Sequence, residues 1–364
     1  MISKIAVVGV GLIGSSLGLA FQGLEQVEEV VGIDRNPSHL QQALKLGAIN
    51  RTASLKEGVQ GVDLVIVATP VGTIIDLIEE ISLYVDQETI ITDVGSTKSS
   101  LVDQLETTVA AQGQIYIAGH PMTGSEVVGP SGADEYLFEN AIYVLTETEQ
   151  TEQTALRALK ALLEKLGAQV LVLDPNRHDQ VVALTSHLPH IVAVNLMQVI
   201  DQFSQNDELV TSLTAGGFRD TTRIAAGDPT MWKDIFVYNQ VEVLTAIEAF
   251  EDKLKQFKEL IVEQSEEELL SQLSQARESR LQLPMKKKGL LPTNYELIIT
   301  LKDEPNAIGR VASLLGEEGI NIQDIEVLKV REDGGTLRLS LSQEEEQIEA
   351  CRLLQEVGYK VFKK

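Results

Sequence analysis

Five histidines stand in the 364 residues, and four of them fall in two compact segments. His120 lies between Gly119 and Pro121, at the end of an apolar run. His178, His187 and His190 all lie within the stretch from Arg177 to His190. An imidazole, with an ordinary pKa of about 6.5, can take up and return a proton near neutral pH. On a helix His187 and His190 are three residues apart and share a face, and Pro189 between them predicts a kink or loosening of that helix. Two other roles stay open for these residues: ordinary core or interface imidazoles, or, together with Asp179, metal ligands, although the spacing matches no metal motif. Further on, Phe218-Arg219-Asp220-Thr221-Thr222-Arg223 sets two arginines at i and i+4 on about one helical turn, with Asp220 between them. Guanidinium forks hold carboxylates in bidentate pairs, so a dicarboxylate substrate suits them; the alternative is a surface ion-pair cluster. The formal charge of −24 sharpens the question. A site for an anionic substrate here must concentrate its own positive charge, and nucleic acid is excluded as a partner because phosphate neutralisation needs clustered Lys and Arg.

These groups need a partner for redox chemistry, and the N-terminus supplies a place for one. Lys4-Ile5-Ala6-Val7-Val8 reads as a strand that runs into Gly9-Val10-Gly11-Leu12-Ile13-Gly14, a G-x-G-x-x-G turn that opens a helix. Gly9 permits the tight turn, Gly11 the close approach of a diphosphate, and Gly14 close packing of helix on strand. The amides of the new helix, beginning at Leu12 and Ile13, face the phosphates with the positive end of the helix dipole. A second strand, Val30 to Ile33, ends at Asp34, 20 residues after Gly14, where a carboxylate accepts from the ribose hydroxyls of a dinucleotide. Asp34 repels a 2′-phosphate and so favours NAD over NADP; the adjacent Arg35 softens that preference.

The elements that must position these groups follow from the pattern. Residues 1–173 alternate strand and helix, which predicts a Rossmann-type α/β domain. Its strands include Asp63 to Thr69-Pro70, Thr89 to Val94 ahead of Ser96, and Gln114 to Ala118 ahead of His120. The strands Ala141–Thr146 and Ala168–Leu173 are expected to complete the sheet. Thr69, Pro70, Ser96 and His120 then sit beyond strand carboxyl ends, where such sheets bind ligands. Residues 174–283 read as a helical substrate and dimerisation domain, 284–292 as a linker containing Lys286-Lys287-Lys288, and 293–364 as a βαββαβ, ferredoxin-like domain. A single cysteine, Cys351, precludes an intrachain disulfide and points to the cytoplasm. No apolar run approaches the roughly 20 residues of a membrane span, and no signal peptide is evident before the first strand.

The order and combination of these motifs resemble the prephenate dehydrogenase family, in the form that carries a C-terminal ACT domain. The resemblance rests on Val8 to Ser15, Asp93-Val94-Gly95-Ser96-Thr97-Lys98, Gly119 to Glu126, the His178 to His190 run and Phe218 to Arg223. It implies oxidative decarboxylation of prephenate by NAD to 4-hydroxyphenylpyruvate. His120 matches the family's catalytic histidine and Ser96 the serine that holds the substrate hydroxyl and the histidine in register. Arg223 matches the carboxylate-gripping arginine and His190 a substrate-contacting histidine. His187 and Lys98 are grouped with the substrate-binding residues, and Glu126 and Asp220 match gate residues. The helical domain implies a homodimer. Asp303-Glu304-Pro305-Asn306-Ala307-Ile308 resembles the ACT ligand turn, with Asn306 where glycine is common, and implies tyrosine as a feedback effector bound near Asn306, Ala307, Ile308, Asn321 and Ile322. Arogenate dehydrogenase is the nearest rival, and a non-catalytic sensor of NAD and amino acids is a rival of another class.

Overall fold

The structure, a computed structural model, describes residues 2–124, 129–205, 207–283, 295–302, 304–331 and 334–363, with side chains described outside 328–334. The chain divides into two units, Met1–Leu283 and Pro284–Lys364.

In the first unit, strands β1 (Lys4–Val8), β2 (Glu29–Ile33), β3 (Arg51–Thr52), β4 (Leu64–Val67), β5 (Ile90–Asp93) and β6 (Ile115–Ile117) form a sheet in the order β3-β2-β1-β4-β5-β6. Every pairing in it is parallel. Leu64 to Val67 are buried throughout, as expected for a parallel strand covered on both faces. Apolar side chains fill one core on each face, around Ile5, Leu17 and Ile66 on one and Val65, Ile78 and Leu105 on the other. The order reverses between β1 and β4, which opens a crevice at their carboxyl ends.

The two later strands depart from expectation. β8 (Ile142–Thr146) and β9 (Gln169–Leu173) do not complete the large sheet; with β7 (Gly119–Pro121) they make a separate sheet of order β7-β8-β9. The chain leaves β6 at Ile117 and turns at Gly119, where an added Cβ would lie 2.8 Å from the Asp93 carbonyl oxygen. Only glycine passes so close to β5, and the turn sends His120 onto β7, opposite Val144 of β8.

Helices follow. Asp174 caps the helix Pro175–Val182 by accepting from the Arg177 amide at 3.0 Å, with Pro175 at a first-turn position that needs no donor. The chain then widens into a π-helical turn, Ala183–His187, before resuming as Leu188–Ser204. Pro189 has no amide to donate, so the predicted disturbance takes the form of this π turn rather than a simple kink. By length and a mean hydropathy of 1.2, the stretch Pro175–Ser204 could cross a bilayer, but its polar residues His178, Asp179, His187 and His190 are buried against neighbouring elements. The helices Gly216–Thr222, Pro229–Tyr238, Gln240–Glu263 and Glu266–Gln282 complete the unit. Leu196, Val199 and Phe203 on the helix Leu188–Ser204, and Leu244 and Leu254 on Gln240–Glu263, are exposed.

The second unit contains β10 (Tyr295–Leu301), β11 (Ile322–Arg331), β12 (Gly334–Leu341) and β13 (Lys360–Lys363) in an antiparallel sheet of order β11-β12-β10-β13. Helices Ala307–Glu317 and Glu344–Glu356 cover one face around Leu297, Leu339 and Leu354. The chain order is βαββαβ. The expected linker, 284–292, lies outside the described residues.

Candidate active site

The glycine turn is built as its spacing requires. A Cβ on Gly14 would lie 2.0 Å from the Gly9 carbonyl oxygen, and one on Gly9, at φ +92°, 2.5 Å from that of Ala68. A Cβ on Gly11 meets nothing within 4 Å, so the chain is open on that side. No side chain caps the helix Leu12–Gln22, which leaves its first amides free to receive phosphate oxygens. Asp34 accepts from the Val10 amide at 3.0 Å and the Asn36 amide at 2.7 Å. Each carboxylate oxygen thus keeps a lone pair for a ribose hydroxyl. His39 Nδ1 stands 3.7 Å from Asp34, and Arg35 is exposed beside it. Thr69 and Pro70 lead into a 3-10 turn, Val71–Thr73, whose Thr73 hydroxyl donates to the Pro70 carbonyl. The open Gly11 side, the uncapped helix and the acid fit a bound dinucleotide.

His120 lies across the crevice on β7. Its Nδ1 is 2.8 Å from His178 Nε2, and His178 Nδ1 is 2.7 Å from Asp179 Oδ1. Asp179 also accepts from the Lys98 amide at 2.8 Å, the Ser99 amide at 2.8 Å and the Ser99 hydroxyl at 2.7 Å. Burial pushes Asp179 up, but the hydrogen bonds from His178 and Ser99 outweigh it and hold the carboxyl below its ordinary value. Burial drives the His120 imidazole well below 6.5, and neighbouring His178, Lys98 and His187 push the same way. At neutral pH His120 is therefore an uncharged imidazole, able to accept a proton.

His187 is held at about 4, chiefly by burial. Its Nδ1 lies 3.2 Å from Asn239 Nδ2, which also donates to the Asp179 carbonyl at 3.0 Å. His190 stacks on Trp232, with ring centroids 3.6 Å apart and planes 8° from parallel. Burial lowers it too, opposed by a backbone hydrogen bond to Ile224, and among the described residues its Nδ1 has no hydrogen-bond partner. Arg223 opens the 3-10 turn Arg223–Ala226, which packs on the helix that carries His190. Arg219 and Asp220 lie on the helix Gly216–Thr222, and Arg223 follows it directly in helical conformation, at φ −51° and ψ −42°. Asp220 is exposed. The helix Pro229–Tyr238 reaches back to the cofactor crevice: a Cβ on Gly72 would lie 2.9 Å from Asp234 Oδ2. Ser96 is half-buried just past the end of β5. Glu126 lies outside the described residues.

Lys98 requires a correction. Expected to bind substrate, it is fully buried, and its ammonium donates to Asp93 Oδ1 at 2.5 Å and the Gly119 carbonyl at 2.7 Å. Tyr116 donates to the other Asp93 oxygen at 2.8 Å. Lys98 therefore ties the end of β5 to the start of β7, one residue before His120. In the second unit, Asn306, Ala307 and Ile308 line a cavity of about 340 Å³ with Leu301, Glu304 and Thr336, whereas Asn321 and Ile322 do not line it.

Three residues were given no role beside His120 from sequence. His178 and Asp179 stood among the candidate imidazoles and metal ligands, but nothing in their position linked them to His120. Trp232, the only tryptophan, offered its rarity alone as a clue.

A dinucleotide crevice facing a neutral, half-buried histidine defines a two-domain dehydrogenase of the nicotinamide-dependent class. Comparison with known proteins makes this specific. Residues 17–172 match the family described as prephenate dehydrogenase, nucleotide-binding domain, and residues 174–275 that described as prephenate dehydrogenase, dimerization domain. The chain is 35% identical to prephenate dehydrogenase of Bacillus subtilis (strain 168) over 349 residues, covering 95% of this chain and 94% of that protein. The crystal structure of A. aeolicus prephenate dehydrogenase, in complex with hydroxyphenyl propionate and NAD+, superposes with a TM-score of 0.74 at 33% identity, covering 78% of this chain and 99% of that one. Synechocystis arogenate dehydrogenase superposes with a TM-score of 0.67 at 32% identity, over 76% of this chain and 98% of that one. The chain belongs to the prephenate dehydrogenase family.

Proposed function

We propose that this enzyme oxidises prephenate with NAD to 4-hydroxyphenylpyruvate and carbon dioxide. The observation that carries the proposal is His120, an imidazole kept neutral by burial on a strand end facing the dinucleotide crevice. With Nδ1 engaged by His178, Nε2 is the nitrogen left to meet a substrate hydroxyl. NAD, when bound, supplies the nicotinamide that takes up the hydride from the carbinol carbon. As that C–H bond breaks, the hydroxyl proton passes to His120 Nε2 and the O–H electron pair becomes the C=O bond. The ring carboxylate then leaves as carbon dioxide, its bonding pair makes the ring aromatic, and the oxygen can recover its proton from His120. Ser96 holds the hydroxyl in register with His120, while Arg223 grips a carboxylate beside His190 and His187. Asp34 receives the ribose hydroxyls and favours NAD over NADP.

The exposed apolar faces of the helical unit and the match to a dimerization domain support a homodimer. For the second unit the proposal is an ACT domain that binds tyrosine as a feedback effector. Its βαββαβ order and the cavity lined by Asn306, Ala307 and Ile308 support this. Asn306 adopts φ +66°, so it meets the left-handed turn that glycine commonly fills.

The test is NADH formation from prephenate and, separately, from arogenate, each with NAD and with NADP. Faster turnover with prephenate and NAD is expected; faster turnover with arogenate would move the enzyme to the rival specificity.

A further inference from the structure

The His120–His178–Asp179 chain raises a question the reaction alone does not answer: where its protons sit. Asp179 accepts from three other donors, the Lys98 and Ser99 amides and the Ser99 hydroxyl, and its carboxylate offers His178 only lone pairs, so His178 Nδ1 must be the nitrogen that carries a proton. The 2.8 Å contact between His178 Nε2 and His120 Nδ1 has room for one proton. If that proton belonged to His178, His120 would turn an N–H outward and could not accept from the substrate. If it belongs to His120, the outward Nε2 is a bare lone pair.

We propose that His178 and Asp179 are positioning residues that lock His120 in its Nδ1–H form, so that Nε2 faces the substrate as a base. The inference rests on the assignment of His120 as that base. The lock reaches between the two halves of the first unit. Asp179 and His178 lie on the helix Pro175–Val182, whereas the amides of Lys98 and Ser99 that hold Asp179 open the helix Ser99–Ala110. The Ser99 hydroxyl, whose proton goes to Asp179, also stands 3.2 Å from the Pro175 carbonyl, at the start of the helix that carries His178. On the β7 side, Lys98 Nζ grips the Gly119 carbonyl and holds the backbone of His120. One dipeptide, Lys98-Ser99, thus fixes both ends of the relay. When the substrate proton arrives at Nε2, the His120 imidazolium keeps its Nδ1–H bond to the His178 lone pair. The new charge then faces a hydrogen-bonded path to the Asp179 carboxylate.

The full-length enzyme with NAD bound, labelled with [15N]histidine, gives a direct test. It carries only five histidines, and His120→Asn identifies the signals of His120. Two-bond 15N–1H correlation spectra at pH 7.5 are expected to show His120 protonated at Nδ1 and bare at Nε2. His178→Leu is expected to release the ring to the Nε2–H form and to lower kcat with prephenate about 10²- to 10⁴-fold, with the KM for NAD unchanged. His178→Gln places a carbonyl acceptor at similar reach, and is expected to keep the Nδ1–H form and recover most of that loss. A wild-type His120 protonated at Nε2 would overturn the lock, even if His178→Leu failed to fold. Equal losses in the Leu and Gln variants would reduce His178 to a packing residue. Equal losses in the Leu and Gln variants leave the assignment of His120 as base untouched, whereas an Nε2–H form in the wild type would also bar Nε2 from taking the substrate proton; turnover by His120→Asn tests separately whether the imidazole is needed.

Discussion

At the scale of residues, the site works by keeping its imidazoles uncharged in a protein of net charge −24. Burial is the main cause for His120, His187 and His190 alike. The sign follows: a histidine whose pKa is lowered stays a competent base as the pH falls through 6.5 and loses its function only at its own lower value. The acid limb of kcat/KM for prephenate, which reports the free enzyme, is therefore expected well below pH 6.5. A limb centred at 6.5 or above would show that the imidazole is not desolvated as described. The place of His120 at a strand end was legible in the sequence, because Gly-His-Pro after an apolar run is a local signal. Its partner was not: His178 is 58 positions away, and only the fold brings the two rings to 2.8 Å. Lys98 misled for a related reason. A lysine after a strand suggests an exposed cation, and nothing local revealed that Asp93 and the Gly119 carbonyl would enclose it.

At the scale of elements, the glycine turn separates two kinds of constraint. Gly14 is needed for packing, since its Cβ would lie 2.0 Å from a backbone oxygen. Gly11 is at φ −70°, a conformation open to alanine, and its Cβ would meet nothing within 4 Å among the described residues. Gly14→Ala is accordingly expected to lose about 1–3 kcal/mol of stability, read as a lowered melting temperature. Gly11→Ala is expected to change stability by no more than roughly 0.5 kcal/mol. Its KM for NAD should nevertheless rise at least about tenfold, because a methyl then stands where the diphosphate approaches (tenfold being about 1.4 kcal/mol of lost binding). Unchanged NAD affinity in Gly11→Ala would place the diphosphate elsewhere. This cradle could be read from sequence because strand, turn, helix and acid are contiguous. The fate of β8 and β9 could not. Their apolar runs suit a strand in either sheet, and the decision is made by the turn at Gly119, through its close approach to the Asp93 carbonyl.

At the scale of the whole molecule, the residues proposed for catalysis all lie in the unit Met1–Leu283, which has cores of its own. The A. aeolicus structure, matched over 99% of its length by 78% of this chain, is of comparable extent. A protein ending at Leu283 is therefore expected to turn over prephenate within a few-fold of the full chain while losing any inhibition by tyrosine. Inhibition that persisted in the shorter protein would move the effector site out of the second unit. The division into a contiguous α/β half, a helical half and a βαββαβ tail was legible from periodicity and chain order. In the tail, Asn306, Ala307 and Ile308 line a cavity and Asn321 and Ile322 do not.

The central claim is that His120 takes the substrate proton while the rest of the site only binds and orients. The most direct measurement is prephenate turnover by His120→Asn beside the Kd of the same variant for NAD. A fall in kcat of about 10²-fold or more, with NAD affinity within a few-fold of the unaltered enzyme, is the predicted result. Near-normal turnover in His120→Asn would contradict it.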